Sequence, residues 1–318
     1  MKSINQGTYP TMITPFTKDR KVDYTAVENL VEWYWEKNCD GIFASCQSSE
    51  IWYLPLEDRV KLAKVVADKA NTLSRESGEH KRMSIVASGH VSESFDDQVY
   101  ELRAVAETGV DAVVLISNRM DIENTSDERW IEDTQKLIDA LPDWVNFGIY
   151  ECPKPYKRLL TPKMIKWISE TGRFSFIKDT CCDLKIIKER LKLLEGSAVQ
   201  LFNANSQTLL GSLRSGAHGF CGVMSNFHPQ LYVWLCENFK EDPDTAEYIQ
   251  SVLGISAFVE NVLAYPVIAK YHLDRHEGVN MEMFSLSRDC NELTDYQKGC
   301  IDQLNTLITV VVEGLDIA

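Results

Sequence analysis

The chain has 318 residues, with 33 lysines and arginines against 47 aspartates and glutamates, and its formal net charge is −14. Such an acidic protein repels nucleic-acid phosphates and anionic lipid, which disfavours both as partners. No apolar run reaches the roughly 18 residues of a membrane span, and the polar N-terminus shows no secretory signal. Nine scattered cysteines are typical of free thiols in a reducing cytoplasm, so we expect a cytoplasmic location.

Eight short apolar runs rich in strand-forming residues recur along the chain. The first is Thr8–Ile13, and the others begin near Gly41, Ser84, Ala112, Asn146, Phe174, Val199 and Gly219. Their spacing is about 30 residues, which is the length of a strand, a helix and two short loops. The spacing therefore predicts βα units on a parallel sheet.

Helical stretches separate these runs, and several begin at a residue that favours a helix start, namely Asp23, Ser92, Thr161 before a proline, and Asp183. Eight strand–helix units predict an α/β fold, a closed (β/α)₈ TIM barrel. An open doubly wound sheet is the competing arrangement. The chain contains neither of the glycine-rich phosphate-binding motifs that often accompany such a sheet.

The strand pattern ends at about Pro229. Helical patterns follow at Leu231–Phe239, Thr245–Leu273 and Glu292–Val312. We therefore expect a barrel over residues 1–230 and a C-terminal helical extension over 231–318, packed on the barrel as a single structural unit.

The active site of such a barrel lies at the C-terminal ends of its strands. Lys178 closes an apolar strand there, where burial would lower its pKa and free its amine to form a Schiff base with a carbonyl substrate. Judged by position alone, a lysine at a strand end more often pairs with a neighbour, here Asp179, or is exposed to water. Tyr150 also ends a strand and is either a proton carrier or an ordinary buried aromatic residue. Ser48 and Ser49 can offer hydroxyls to a carboxylate, but serines are frequent in such loops.

Five segments, in order and at matching intervals, resemble the dihydrodipicolinate synthase / N-acetylneuraminate lyase family of pyruvate-handling class I aldolases. The similarity runs from Gly7 to about Gly278. The segments are Gly7–Phe16 with Val22-Asp23, Cys46–Glu50 with Leu54-x-x-Glu57-Asp58-Arg59, Tyr150–Pro153, Ile177–Thr180 and Gly216–Asn226.

The resemblance implies a barrel with a helical extension, assembled as a homotetramer. It implies that Lys178 forms an imine with the C2 carbonyl of pyruvate or another 2-oxo acid, and that Tyr150 relays protons. The family's paired hydroxyl residues, which bind the substrate carboxylate, fall here at Gln47 and Ser48. No cofactor beyond the covalent imine is implied.

Three further positions complete the implied substrate site. Ser49 stands where the family keeps glycine, and Cys221 is the residue whose backbone carbonyl would face the tyrosine and the imine. Gly222 resembles the lyase side of the family rather than the synthase side. His272 and His276 lie one helical turn apart but have no visible third ligand, so no metal site is expected.

Departures from the family pattern make the substrates of both main branches doubtful. Pro155 replaces the synthase arginine five residues after the tyrosine, and Ser117–Met120 lacks the two tyrosines of that branch. Asn205-Ser206-Gln207 replaces the acidic pair of the sialic-acid branch. Arg119 is either an anchor for the distal end of a substrate or a surface arginine.

Three hypotheses follow. The first is a lyase that cleaves a 2-keto-3-deoxy sugar acid, or a similar compound, to pyruvate and an aldehyde through a Lys178 imine. The second is a dehydratase or deaminase that uses the same imine on a 4-hydroxy-2-oxo acid. The third is a catalytically impaired paralogue that binds a 2-oxo acid and serves a regulatory role, suggested by the altered strand-two motif.

Overall fold

The computed structural model describes residues 3–78, 82–259 and 264–317. Its single sheet contains eight parallel strands. These are β1 Gly7–Thr8, β2 Gly41–Ser45, β3 Ser84–Ala87, β4 Ala112–Ile116, β5 Phe147–Tyr150, β6 Phe174–Asp179, β7 Gln200–Asn203 and β8 Gly219–Phe220. From β2 to β8 each strand pairs with the next one along the chain, and β8 pairs with β1.

The segment after β1 joins β2 and completes the ring. The N–H of Asp40 donates to the carbonyl of Thr8 at 3.1 Å, and the N–H of Phe43 donates to the carbonyl of Pro10 at 2.9 Å. A parallel bridge also links Thr11 to Phe43. The predicted (β/α)₈ barrel is therefore confirmed, and all eight predicted strands are present.

The α-helices in the described residues alternate with the strands as far as β8 and then continue without further strands. They are α1 Tyr24–Glu36, α2 Leu56–Glu76, α3 Phe95–Ala106, α4 Asp127–Asp139, α5 Pro162–Glu170, α6 Leu184–Leu194, α7 Leu209–Arg214, α8 Pro229–Asn238, α9 Pro243–Ser256, α10 Val267–His276 and α11 Asp295–Gly314. Single-turn 3₁₀ helices lie at Ile51–Tyr53, Ser117–Arg119, Ser206–Thr208, Val223–Asn226 and Cys290–Glu292. No helix in the described parts of the chain is long and apolar enough to cross a membrane.

Three of the predicted helix starts are confirmed by their hydrogen bonds. The side chains of Asp23, Thr161 and Asp183 each accept a backbone N–H from the first turn of the helix that follows. The start predicted at Ser92 is wrong by a few residues, because Ser94 caps α3 and Phe95 begins it.

The helical pattern Thr245–Leu273 does not form one helix. It divides into α9 and α10, and Pro266, which has no backbone N–H to donate, directly precedes α10. Residues 260–263 of this pattern lie outside the described residues. The last predicted helix begins at Asp295 rather than Glu292, because Thr294 and Gln297 form a reciprocal capping box there.

The barrel interior is filled by aromatic and aliphatic side chains below the C-terminal ends of the strands. Phe176 stacks on Phe202 with ring centres 4.8 Å apart, and Tyr9 meets Phe202 edge-on at 4.7 Å. A larger apolar layer lies between the strands and the helices. The interior is thus a packed core that supports a site at the strand ends, not a pore.

Candidate active site

A cavity of about 620 Å³ opens at the C-terminal ends of the strands. Five of the seven predicted site residues line it, namely Gln47, Ser48, Tyr150, Lys178 and Gly222. These residues come from β5, from β6 and from the loops after β2 and β8. The barrel therefore assembles them from distant parts of the sequence at one face.

Lys178 and Tyr150 occupy paired positions on β6 and β5. The Lys178 side chain is nearly buried, and its Nζ lies 4.3 Å from the centre of the Tyr150 ring and 5.8 Å from that of Phe43. Attraction between the ammonium and the ring faces holds the amine against this aromatic wall. The alternative pairing with Asp179 is not found, since that carboxylate is bound by Arg190.

The phenol of Tyr150 is buried beside two polar side chains. Burial raises the pKa of Tyr150 well above its ordinary value, so the hydroxyl keeps its proton at neutral pH. Cys152, two residues along, lies within hydrogen-bonding reach of this phenol, and its thiol donates to Gln47 Oε1 at 3.3 Å. A tyrosine, a thiol and an amide thus form a polar chain along one wall of the cavity.

A buried ion-pair network fixes the ends of β5 and β6. Arg190 on α6 contacts Glu151 Oε1 at 2.6 Å and also binds Asp179. Glu151 further accepts the N–H groups of Leu160 and Thr180, each at 2.7 Å. Because Glu151 follows Tyr150 and Asp179 follows Lys178, this network sets the positions of both predicted catalytic residues. Sequence reasoning missed it.

The two serines after β2 have different environments. Ser48 lines the cavity, and its hydroxyl donates to Thr11 Oγ1 at 3.2 Å. Ser49 is fully buried. Its hydroxyl accepts the N–H of Cys46 and shares its one proton between the carbonyls of Met12 at 2.7 Å and Ala44 at 3.1 Å. The Ser49 hydroxyl therefore stabilises the turn after β2 and is not part of the cavity lining.

Cys221, the other predicted residue absent from the cavity lining, lies beneath it. Its side chain is fully buried, and its N–H donates to the carbonyl of Asn203 at 2.8 Å. Burial raises the pKa of this thiol to about 12, although the nearby Lys178 opposes the shift. The thiol is therefore neutral and packs as a small apolar group.

Asn118 lies after β4, in the segment where the synthase branch of the family has two tyrosines. Its side-chain amide donates to the carbonyls of Cys152 at 3.0 Å and Lys154 at 2.9 Å, and also to that of Tyr156. This contact shapes the loop after β5, which brings Lys154 and Lys157 to the cavity. Neither lysine was predicted from the sequence.

Arg119 is not a surface arginine. Its side chain is almost completely buried, and its guanidinium lies 5.4 Å from the centre of the Trp52 ring. Trp52 lines the cavity, whereas Arg119 lines a separate depression beside α3 and α4. A direct contact between Arg119 and a ligand in the strand-end cavity is therefore not supported.

Glu50 has a role that its sequence position did not reveal. It is buried and accepts hydrogen bonds from a C-terminal segment, here called the 284–288 segment. The donors are the hydroxyl of Ser285 at 2.8 Å and the N–H groups of Leu286 and Ser287 at 2.8 and 2.7 Å. Lys270 on α10 approaches the same carboxylate at 3.5 Å. Arg288, at the end of this segment, consequently reaches the cavity.

The histidine pair and the cysteines have ordinary protein partners. His272 Nε2 lies 2.8 Å from the carbonyl of Phe227, and His276 Nε2 lies 2.8 Å from Asp302. Among the residues that the structure describes, no group of three or more histidine, cysteine or acidic side chains is arranged to hold a metal ion. None of the nine cysteines, all of which lie in the described residues, forms a disulfide.

Comparisons with known proteins agree with the fold. The family model of the dihydrodipicolinate synthetase family matches residues 5–273. A 4-hydroxy-tetrahydrodipicolinate synthase from Staphylococcus epidermidis is 20% identical over 289 residues, which cover 90% of this chain and 93% of the relative. YagE from E. coli K12, solved in complex with pyruvate, has a TM-score of 0.80 at 19% identity, covering 98% of this chain and 99% of its own. Ruminococcus gnavus sialic acid aldolase has a TM-score of 0.82 at 18% identity, covering 97% and 98%.

The fold and the family match together define a lyase of the class I aldolase type on a TIM barrel. The chain belongs to the dihydrodipicolinate synthetase family, since that model matches most of its length. The relatives compared above include both a synthase and a sialic acid aldolase.

Proposed function

We propose that Lys178 forms an imine with a 2-oxo acid, and that the protein reversibly cleaves a 2-keto-3-deoxy sugar acid or a similar compound to pyruvate and an aldehyde. The observation that carries this proposal is the placement of a buried lysine amine over the ring of Tyr150, inside a cavity at the strand ends. The pyruvate complex of YagE, which shares the fold, supports the choice of a 2-oxo acid.

In the proposed reaction the Lys178 amine attacks the C2 carbonyl, and water leaves as the imine forms. The protonated imine accepts the electron pair of the C3–C4 bond, so that this bond breaks. As the aldehyde leaves, Tyr150 relays a proton. Its phenol accepts the proton of the C4 hydroxyl and passes its own proton to C3, so the phenol remains neutral. Hydrolysis of the remaining imine releases pyruvate and restores the amine.

Two neighbouring residues have a proposed role in holding the substrate. Gln47 and Ser48 follow β2 and line the cavity with polar groups, which suits the carboxylate of a 2-oxo acid. Gly222 lines the cavity without a side chain, and an added Cβ would lie 2.3 Å from the Phe220 ring. The close packing at this position explains the need for glycine.

Reductive trapping tests the imine. The protein is incubated with pyruvate and borohydride, and the adduct is mapped by mass spectrometry after proteolysis. We expect one adduct, on Lys178, and none in Lys178→Met. Lys157→Gln removes another lysine of the same cavity and should still be labelled. Absence of an adduct, or an adduct on another lysine, would overturn the proposal.

Product analysis separates the three hypotheses once the imine is established. A lyase releases pyruvate from 2-keto-3-deoxy sugar acids, whereas a dehydratase or deaminase releases water or ammonia and leaves the carbon chain intact. A regulatory paralogue forms the Lys178 adduct but turns over none of these substrates. Release of pyruvate that depends on Lys178 is the outcome we expect.

Assembly as a homotetramer, which the resemblance implies, is also a proposal. The outer face of α11 exposes Tyr296, Leu307 and Val310, which supports burial of this helix against another copy. Light scattering on the purified protein measures the mass, and a monomer would overturn the proposal. The predicted cytoplasmic location is likewise a proposal, and the nine unoxidised cysteines support it.

A further inference from the structure

The charge of the cavity is opposite to that of the protein. The chain carries a formal charge of −14, yet the cavity is lined by four cationic side chains and a single acidic one. The cations are Lys154, Lys157, Lys178 and Arg288, and the acid is Glu50. Charges of one sign in a concave site concentrate a ligand of the other sign there.

Glu50 does not offset these cations, because its carboxylate is already engaged. It accepts three hydrogen bonds from the 284–288 segment and faces the Lys270 ammonium at 3.5 Å. Both partners of this ion pair are buried. The negative charge of Glu50 is thus offset by Lys270, which does not line the cavity, and the other charged lining residues make the cavity positive.

The cations have separate places in the cavity. Lys178 is the nucleophile in the proposed function and lies deep on β6. Lys157 donates to the carbonyl of Thr180, two residues beyond Lys178, so its ammonium lies near the end of the same strand. Arg288 is exposed and comes from the 284–288 segment. Among the described residues, the Arg288 side chain has no hydrogen-bonding or ion-pairing partner and is available to a ligand.

The wall after β7 contributes no opposing charge. Asn205, Ser206 and Gln207 line the cavity there, and Asn205 donates to Gln207 at 2.7 Å. All three side chains are neutral, so they do not repel an anion bound at the mouth. Pyruvate alone fills only a small part of a cavity of about 620 Å³, which is in the range that accommodates much larger ligands.

We infer that the cavity mouth is a subsite for a second anionic group of the substrate, a carboxylate or a phosphate, bound by Lys157 and Arg288. This inference rests on the proposed function, because the first carboxylate belongs to the 2-oxo acid at Lys178. The two side chains bind an oxyanion in different ways. Arg288 can donate two N–H groups to it, and Lys157 adds a compact positive charge.

Imine trapping with a matched pair of 2-oxo acids tests the subsite. The probes are 2-oxopentanoate and 2-oxoglutarate, which differ in a distal methyl or carboxylate. We expect half-maximal labelling of Lys178 at an about three- to tenfold lower concentration of 2-oxoglutarate. In R288Q and K157Q this ratio should fall towards one. K185Q removes an exposed charge on α6 outside the cavity and should keep the wild-type ratio.

A second arm distinguishes the two anions. The KM for pyruvate release is compared between 2-keto-3-deoxygluconate and its 6-phosphate. A lower KM for the phosphate that disappears in R288Q assigns the subsite to phosphate, and a preference confined to 2-oxoglutarate assigns it to carboxylate.

Failure of the subsite and failure of the proposed function give different results. The subsite is overturned if wild type shows no preference in either pair of probes, or if a K157Q/R288Q double variant keeps the preference. Absence of any pyruvate adduct on Lys178 overturns the proposed function itself.

Discussion

Tyr150 and Lys178 face each other across adjacent parallel strands, with the lysine ammonium 4.3 Å from the centre of the phenol ring. Their backbones are paired in register, so the geometry of the sheet holds the amine and the phenol together before any ligand arrives. The two residues have different roles in the proposed reaction. Lys178 forms the covalent bond to the substrate, and Tyr150 transfers the proton.

Replacing Tyr150 with phenylalanine should separate these two roles. The ring remains to pack against Lys178, but proton transfer to and from the substrate hydroxyl is lost. We expect kcat for pyruvate release to fall by about 10²- to 10⁴-fold, the usual contribution of a general acid or base. The borohydride-trapped pyruvate adduct on Lys178 should still form.

Tyr100→Phe is the matched control, because Tyr100 is 68% exposed on α3 and does not line the cavity. It should keep wild-type kcat. If Tyr150→Phe also kept wild-type kcat, the phenol would have no role in proton transfer.

Arg190 should be essential for stability because it is the shared ion-pair partner of two buried carboxylates. In Arg190→Met, Glu151 and Asp179 lose their cation while remaining almost completely buried. Removing one partner of a buried ion pair typically costs about 3–5 kcal/mol. We expect a loss of this size in the free energy of unfolding, measured by urea denaturation.

The exposed pair of Arg214 and Glu247 provides a comparison for Arg190. Arg214→Met should cost less than about 1 kcal/mol, since solvent screens exposed ion pairs. Equal losses in the two variants would show that the network between β5 and β6 contributes no more than a surface contact.

The fold could be predicted from the sequence because its main signals are local and repeat. Apolar strand runs at regular spacing and residues such as Asp23 and Thr161 at helix starts each act within a few positions of the chain. The prediction was wrong at Thr245–Leu273, where helical periodicity persists past the end of α9 at Ser256 and across Pro266, which directly precedes α10. Periodicity alone does not locate such a break.

The site was only partly predictable. Lys178 and Tyr150 end apolar strands, which is a local signal that the resemblance strengthened. By contrast, Glu50 and Lys270 are 220 positions apart, and Arg288 reaches the cavity only because Glu50 holds the 284–288 segment. Their local sequence is ordinary, so only the tertiary arrangement shows their roles.

The cysteines should differ sharply in their reaction with iodoacetamide. Burial raises the pKa of Cys152 to about 11 and that of Cys221 to about 12, so both thiols are protonated at pH 8. Cys182 is exposed at the cavity mouth. We expect Cys182 to be alkylated well before the two buried cysteines, as measured by mass spectrometry over time.

Unfolding in guanidinium should remove the difference among the cysteines, because it exposes all three thiols. Cys182→Ser is the control, and it should leave the slow labelling of Cys152 and Cys221 unchanged. Early modification of Cys152 in the folded protein would contradict the structure.

Lys270 should make stability rise with pH. Burial lowers its pKa to about 8, although Glu50 opposes the shift. Between this value and the ordinary lysine pKa of about 10.4, the unfolded chain keeps a proton that the folded chain has lost, so the free energy of unfolding increases with pH. Burial of the Lys270 ammonium therefore destabilises the folded protein by its full amount below pH 8. This destabilisation disappears above the lysine pKa of the unfolded chain. Relative to Lys270→Met, wild type should gain about 2–3 kcal/mol between pH 7 and pH 10.

Comparison with Lys270→Met separates this contribution from the titration of groups that do not contact Lys270. Lys64→Met serves as the control, because Lys64 is 60% exposed in its pair with Asp68. Its pH dependence should parallel that of wild type. Urea denaturation at several pH values measures each difference. A wild-type curve that runs parallel to that of Lys270→Met would mean that Lys270 titrates equally in the folded and unfolded states, and the burial of its ammonium against Glu50 would then have no energetic consequence.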